Sequence, residues 1–328
     1  MGDISKQGLS KFEKGLAVPN SARLLQLSKV LGVKPEYFFR PDTVILAPLE
    51  FRKLAKMPGY RQEQVKELMR DHLERYLSLE NSFDESLSSK PIGARFFNVN
   101  SLDDAESAAN LLREAWGIGN DAIADLTDLL ENKGFKVVLL QGVDDFDGAC
   151  AVTTDEQHVL FALNAARPGE RLRFTAAHEL GHWLMQLPET MPEKDKERCC
   201  HRFAAAFLFP ASQVKLEFGA HQRSKVHPQE LFNAKQTYGV SMGMISMRLK
   251  DLGLLSETGY KALAIQSSTQ GWRKSEPGTL PSERPRRFES LVFRALSEDI
   301  FTISRAAELL QIPISELNRT VLEALVHQ

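Results

Sequence analysis

The sequence predicts an α+β fold that is mostly helical, with one small sheet near the middle of the chain. Three observations predict it. Apolar residues recur at helical spacing near the start, in the centre and through the last third of the chain. Short apolar and β-branched runs, KVVLL and VLFALN, are confined to residues 136–164. The length of 328 residues corresponds to about two domains of roughly 150 residues each.

The composition is that of a folded protein in water. Hydrophobic residues make up 43% and charged residues 26%, which excludes bulk disorder, collagen and coiled-coil fibres. The net charge of -2 implies no general polyanionic partner. The cysteines Cys150, Cys199 and Cys200 form neither a disulfide framework nor a CxxC spacing, which suits a reducing cytosol. Without a signal sequence or an apolar run of membrane length, we expect a cytoplasmic protein with no membrane partner.

Residues 1–40 hold the one strong charge asymmetry, with seven Lys and Arg side chains against three acidic ones. A short polar helix ends at Gly15, and a second helix carries Leu24, Leu27 and Leu31 at helical spacing. A polar helix beside an apolar one is typical of a helix-turn-helix unit, although a basic helical cap has the same pattern. The candidates for DNA contact are Lys6, Gln7, Ser10 and Lys11.

The segment QGLSKFEKGLAVPNSARLLQLSKVLGVKPEYFF resembles the second half of a Cro/C1-type (Xre-type) helix-turn-helix domain. In that family the SKxExG stretch is the recognition helix and its exit. Such domains begin with two further helices, so we expect residues 1–41 to form a partial helix-turn-helix. The resemblance implies DNA as a partner.

Residues 42–90 are predicted to hold a linker and one long helix. The linker is extended and interrupted by proline, and the helix spans residues 61–80. One apolar stripe runs along this helix: Val65, Leu68, Met69, Leu73, Tyr76 and Leu77. The stripe favours a spacer or a helix through which a homodimer forms. The Ser-rich residues 82–90 mark a domain boundary.

The central region, residues 91–212, is predicted to be an α+β domain. Ser101 caps a helix with Asp103 and Asp104 in its first turn, and a second helix covers residues 121–132. Strand-like segments follow, and the order of helices before a sheet favours the α+β class. Residues 213–328 are predicted to form a helical C-terminal region.

The most informative motif is His178-Glu179-Leu180-Gly181-His182. On a helix, residues four apart lie about 40° apart on one face, so both histidines can bind one metal ion. Glu179 then points toward a water molecule on that ion. This HExxH arrangement is typical of zinc hydrolases. Because a purely structural metal site needs no such base, Glu179 argues for catalysis.

A hydrolytic zinc site needs a third protein ligand. The acidic candidates downstream are Glu189, Glu193, Asp195 and Glu197. Glu197 lies in the first turn of the following helix and would complete a His-His-Glu site. His201, one turn later, is either a neighbour that hydrogen-bonds a ligand or the third ligand itself. The adjacent Cys199 and Cys200 are expected to pack in the core.

The segments GERLRFTAAHELGHWL and ERCCHRFAAAFLFP resemble the ImmA/IrrE family of metallopeptidases. That family has an RFTLAHELGH helix followed by E-x-x-A-N-x-F-A-A-x-L-L-M-P. The resemblance implies zinc held by His178, His182 and Glu197, with Glu179 as the catalytic base. Two positions differ from the family pattern, because Cys200 replaces Ala and His201 replaces Asn.

The resemblance implies a zinc-dependent endopeptidase that regulates transcription by cleaving an Xre-type repressor in response to stress. The alternative is a DNA-binding transcriptional regulator or antitoxin-like protein whose zinc site is sensory or non-catalytic. No residue is assigned to stabilise the oxyanion, for which Tyr238, His221 and His227 are candidates.

Overall fold

The computed structural model describes residues 5–31, 35–39, 44–47, 57–84, 87, 91, 97–143 and 145–319. The chain divides into two compact units, Met1–Thr43 and Val44–Gln328. The first unit contains helix α1 (Lys6–Glu13), helix α2 (Ser21–Leu31) and a 3-10 turn at Pro35–Phe39. The helices of the second unit are α3 (Gly59–Glu80), α4 (Leu102–Trp116), α5 (Leu126–Asn132), α6 (Gly169–Leu184), α7 (Glu193–Leu208), α8 (Ala211–Phe218), α9 (Pro228–Tyr238), α10 (Met242–Asp251), α11 (Glu257–Thr269), α12 (Arg287–Ser297) and α13 (Ile303–Leu310). Its strands are β1 (Phe97–Asn98), β2 (Lys136–Leu140), β3 (Gly148–Val152), β4 (Val159–Asn164) and β5 (Met185–Gln186). The predicted class, α+β and mostly helical, is confirmed.

In the first unit, local hydrogen bonds define where the helices begin. The hydroxyl of Ser5 accepts a bond from the backbone N–H of Gly8, and the side chain of Asn20 accepts one from Arg23. Both are standard N-terminal caps. Ser28 is the one buried side chain in the described part of this unit, while Val18 is 90% exposed. The described part of the unit therefore has almost no interior of its own.

The main sheet has the order β2-β4-β3, with β2 parallel and β3 antiparallel to the central strand β4. Every residue of β4 is buried, as expected for an apolar run between two layers. Its side chains alternate between two cores. Val159, Phe161 and Leu163 join the main core, and Leu160 and Ala162 join the second.

The main core lies on one face of the sheet and is formed chiefly by helices. Helices α4 and α6 both pack against α7, and α8 to α11 contribute side chains to the same core. The short strands β1 and β5 pair in parallel beside it. Helices beyond the predicted limit at residue 212 thus complete the core in which α6 and α7 lie.

Helix α3 covers the other face of the sheet. Val65, Met69 and Leu73 pack there against β2 and β4. Farther along the helix, Tyr76 and Leu79 pack against α12 and α13 in a third cluster. The stripe that suggested a spacer or dimer helix is therefore buried within the chain and is not available to a second copy. Most of the predicted linker before α3 lies outside the described residues.

Two buried arginines hold the carboxyl end of α7. The Arg113 guanidinium donates hydrogen bonds to the carbonyl oxygens of Gly119, Asp121 and Phe207. Arg248 donates to the carbonyl oxygen of Phe209 at 3.1 Å and also binds Glu106. The last carbonyls of a helix have no partner within the helix, so these bonds fix where α7 ends. In the described part of the chain, no helix is long and apolar enough to cross a membrane.

His72 on α3 is buried where α3 meets α12. Its ring lies 5.2 Å from that of Phe288, between centroids, and its Nε2 has no hydrogen-bond partner among the described residues. Burial, and then the charge of Arg75, lowers the pKa of His72 from 6.5 to about 3. The folded state thus excludes a proton that the unfolded chain binds below pH 6.5. Stability supplied by neutral His72 is therefore lost as the pH falls from 6.5 towards 3.

We predict that His72→Phe flattens the pH dependence of stability. Between pH 7 and pH 5 the wild type should lose about 2 kcal/mol more of its unfolding free energy than the variant, measured by urea denaturation. His221→Phe, at an exposed histidine, is the matched control and should keep the wild-type pH dependence. An equal loss in wild type and His72→Phe would contradict the assignment.

Candidate metal centre

Helix α6 carries the HExxH motif at a buried position. Proline 168 precedes its first turn and the helix ends at Leu184. His178 and Glu179 are buried and His182 is half-buried. The Nε2 atoms of the two histidines are 3.0 Å apart. The four-residue spacing thus places both imidazoles at one point on the helix face, as the sequence predicts.

Helix α7 brings Glu197 to the same point. One carboxylate oxygen lies 3.2 Å from Nε2 of His182 and the other lies 3.4 Å from Nε2 of His178. Hydrogen bonds from His178 and His182 lower the pKa of Glu197 well below its usual range. The carboxylate is therefore ionised at neutral pH.

The two helices can approach this closely because Gly181 has no side chain. A Cβ at this position would lie 2.8 Å from Cδ1 of Phe203 on α7. Phe203 is completely buried and its ring is stacked on that of Phe207, so it has little room to move. The glycine within the HExxH motif is thus a packing requirement of the site.

The donor set fits a zinc ion. Two imidazole nitrogens and one carboxylate are ligands of catalytic zinc sites, with bonds of about 2.0–2.2 Å. Tetrahedral ligands at that distance are separated by about 3.3 Å, close to the 3.0–3.4 Å between these three groups. An ion at this position can therefore bind all three groups at once.

His201 lies one turn after Glu197 and belongs to the same cluster. One ligand atom each from His178, Glu197 and His201 lie within 4.8 Å of one another. The His201 ring is 4.7 Å from that of His178 and is stacked on Phe174 at 5.8 Å, between centroids. Glu197 contacts both histidines of the motif directly, whereas His201 is exposed at the edge of the cluster.

The sequence pattern does not single out Cys150 on β3, a strand that packs against α6. Burial, and then the negative charge of Glu179, raises the pKa of its thiol well above the usual value. Gly148 on the same strand allows β3 to lie close to α6, because a Cβ at this position would collide with Cγ2 of Thr175 on α6. In the sequence, Cys150 follows Gly148 by two residues and precedes the apolar run of β4, and this position is the signal that could have identified it.

The hydrogen bonds of two of the oxyanion candidates, Tyr238 and His227, are made with other residues. The Tyr238 hydroxyl bonds to Gln213 and Glu217, and Nδ1 of His227 accepts the N–H of Gln229 at the start of α9. These contacts give both side chains structural roles. His221 is exposed. Among the described contacts, none joins His221 to a residue of the HExxH motif.

The predicted DNA-contacting residues lie on α1. Gln7 and Lys11 are exposed and one turn apart, and Ser10 is half-buried. Lys6 begins the helix, but its side chain lies outside the described residues. Residues four apart share a helix face, so Gln7 and Lys11 can contact one partner together.

A groove of about 1470 Å³ adjoins the metal centre. His201 and Phe174 belong to its lining, which therefore reaches the cluster of ligands. In the lining of the groove, arginine and lysine side chains outnumber aspartate and glutamate side chains.

Comparison with protein families supports both parts of the interpretation. Residues 135–250 match the family described as the IrrE N-terminal-like domain (Peptidase_M78). Residues 1–38 match the family described as helix-turn-helix (HTH_3). No curated protein matches the chain significantly.

The chain thus combines a metallopeptidase-type hydrolase domain with a helix-turn-helix. In family terms, its central region is similar to ImmA/IrrE peptidases of the M78 type, and its first residues are similar to Xre-type DNA-binding domains. The predicted resemblance to these two families is confirmed.

We predict that Gly181→Ala destabilises the protein by about 1–3 kcal/mol, because the new methyl group is forced against Phe203. Glycine to alanine in a helix interior otherwise stabilises by up to about 1 kcal/mol. Gly243→Ala on α10 is the matched control, since its Cβ would meet no atom closer than 3.6 Å. Urea midpoints check both variants. A Gly181→Ala protein as stable as the wild type would show that α6 and α7 do not need the glycine.

Proposed function

We propose that the protein is a zinc-dependent endopeptidase of the HExxH type that regulates transcription by cleaving an Xre-type repressor in response to stress. The observation that carries this proposal is the convergence of His178, His182 and Glu197 on one point, with Glu179 beside them. The peptidase family match supports the reaction class.

Each residue of the site has a chemical role in this proposal. His178, His182 and Glu197 would hold the zinc ion, and His201 would lie beside them. Zinc supplies a Lewis acid and lowers the pKa of a bound water to about 7. A carboxylate oxygen of Glu179 takes the proton of the attacking water and returns it to the leaving amine. Glu179 is buried, so little of its carboxylate is exposed to bulk solvent.

The helix-turn-helix connects this chemistry to transcription. The match at residues 1–38 supports DNA as a partner, through Gln7 and Lys11 among others. We propose the sequence limits 1–41, 42–90, 91–212 and 213–328, with helices α8 to α11 of the last segment completing the core of the third. We also propose a cytoplasmic location and a repressor protein as substrate. A homodimer, if formed, would use a surface other than the buried stripe of α3.

A second function is favoured by the same helix-turn-helix match. The protein would then be a DNA-binding regulator or antitoxin-like protein whose zinc site is sensory or non-catalytic. Residues 1–40 carry seven Lys and Arg side chains against three acidic ones, and this positive charge suits binding to the phosphate backbone. Comparison of the wild type with Glu179→Gln, in zinc content and in repressor cleavage, separates the two functions.

We predict that Glu179→Gln lowers the rate of repressor cleavage by about 10²- to 10⁴-fold, the usual contribution of a general base. Zinc content should stay at about one ion per chain, because Glu179 is not a ligand. Metal analysis and mass spectrometry of an incubated Xre-type repressor measure the two effects. Glu189→Gln, at an exposed carboxylate, is the matched control.

Equal cleavage by Glu179→Gln and the wild type would contradict the proposed mechanism. Zinc binding by both proteins with cleavage by neither would favour the second function.

We predict that Glu197→Gln weakens zinc binding more than His201→Asn does. Loss of a ligand should cost more than the 10–100-fold that is typical when a neighbour of a ligand is changed, and Glu197 makes direct contact with both histidines. Competition with a chromogenic chelator measures the two dissociation constants. The reverse order would make His201 the third ligand.

A further inference from the structure

The groove beside the metal centre holds an excess of positive charge that is confined to two places. Four of the eight Lys and Arg side chains in its lining are neutralised by carboxylates close by. These ion pairs are Arg198–Asp195, Arg202–Glu106, Arg202–Asp251, Arg248–Glu106 and Lys250–Glu257. They leave little net charge along that part of the lining.

The first place with excess charge lies at the start of α6. The carboxylate of Asp147 binds both Arg167, at 2.8 Å, and Arg171, at 2.9 Å. Arg171 thus shares its carboxylate partner with a second guanidinium group. Arg171 is 56% exposed, so its remaining N–H groups can reach a ligand in the groove.

The second place is the turn that follows α11. Arg273 and Lys274 line the groove and are exposed. Within the described part of the chain, neither side chain has a carboxylate partner. Both charges therefore remain available to a ligand.

This turn is held firmly in place. Trp272 packs against the main core, and Glu276 accepts the backbone N–H of Met242 at 2.8 Å. Glu276 also binds Lys235, whose fully buried ammonium group lies 2.7 Å from Glu170. Glu170 belongs to the first turn of α6. The two cations are thus anchored to the helix that carries the metal-binding motif.

The remaining lining favours a peptide over a nucleic acid. The cations in excess are confined to these two places, so the lining lacks the continuous run of positive charge that would follow the evenly spaced phosphates of a nucleic acid strand. Met244 and Met247 add apolar surface, and Met247 is 42% exposed. Methionine adapts well to varied apolar side chains. A peptide with separate acidic and apolar side chains matches both features.

We propose that Arg171, Arg273 and Lys274 select substrates that carry acidic side chains, mixed with apolar ones, on the side of the cleaved bond that lies near His201. The inference rests on the proposed peptidase function, because it assigns the groove to the substrate of that reaction. Acidic side chains would be drawn to the groove by charges fixed in place before binding.

Peptide binding tests the groove without requiring cleavage. The probe is a fluorescein-labelled ten-residue peptide with four Glu among Leu and Ala, compared with the same peptide in which Gln replaces Glu. With full-length zinc-loaded Glu179→Gln protein, fluorescence anisotropy should show at least about ten-fold tighter binding of the acidic peptide at low salt. When the Arg273→Glu and Lys274→Glu substitutions are added to this Glu179→Gln protein, the difference in affinity between the two peptides should disappear.

The matched control is the Glu179→Gln protein with Lys215→Glu and Lys225→Glu. These two substitutions change the net charge by the same amount as those at Arg273 and Lys274, but at exposed positions outside the groove. It should keep the preference within about two-fold. Equal binding of the two peptides, or a preference unaffected by the change at Arg273 and Lys274, would overturn the proposal. Tighter binding of a ten-nucleotide oligothymidine through the same two residues would assign the groove to nucleic acid instead.

Digestion of a peptide library separates this proposal from the proposed function. The wild-type protein should cleave bonds with Asp and Glu enriched on one side, and the enrichment should disappear with Arg273→Glu and Lys274→Glu. Glu179-dependent cleavage without that enrichment would refute the acidic preference and leave the peptidase intact. Acidic peptide binding without any Glu179-dependent cleavage would refute the peptidase and leave the binding groove.

Discussion

The contact between α6 and α7 at Gly181 and Phe203 is the constraint on which the rest of the site depends. It sets the distance at which Glu197 meets His178 and His182. Side chains of ordinary size at this crossing would separate the helices and leave the buried His178 and the half-buried His182 without a carboxylate partner. Burying polar groups without partners is costly, so the packing of a single glycine supports both the fold and the chemistry.

The C-terminal part of the chain is joined to this helix pair by carboxylates. Glu276 is linked to the start of α6 through Lys235, and Glu283 binds Arg173 and Thr127. The segment between α11 and α12 also passes so close to Gly169 that a Cβ there would collide with the backbone of Pro281. Helix α6, the residues that line the groove and the C-terminal helices therefore pack together within the second unit.

Local patterns in the sequence predict most elements, and long-range contacts explain what they miss. The HExxH spacing predicts the two facing histidines, and the apolar run of β4 predicts a buried strand. The parallel pairing of β2 with β4 and the packing of β3 against α6 depend on segments far apart in sequence. The stripe of α3 shows the same limit, because its pattern reveals an apolar face but not that the sheet, α12 and α13 cover it.

The most direct test of the account is a crystal structure of the zinc-loaded protein with anomalous scattering measured across the zinc edge. We expect one zinc peak about 2.0–2.2 Å from Nε2 of His178, Nε2 of His182 and a carboxylate oxygen of Glu197. A zinc ion bound without Glu197, or one bound at Cys199 and Cys200 instead, would contradict it.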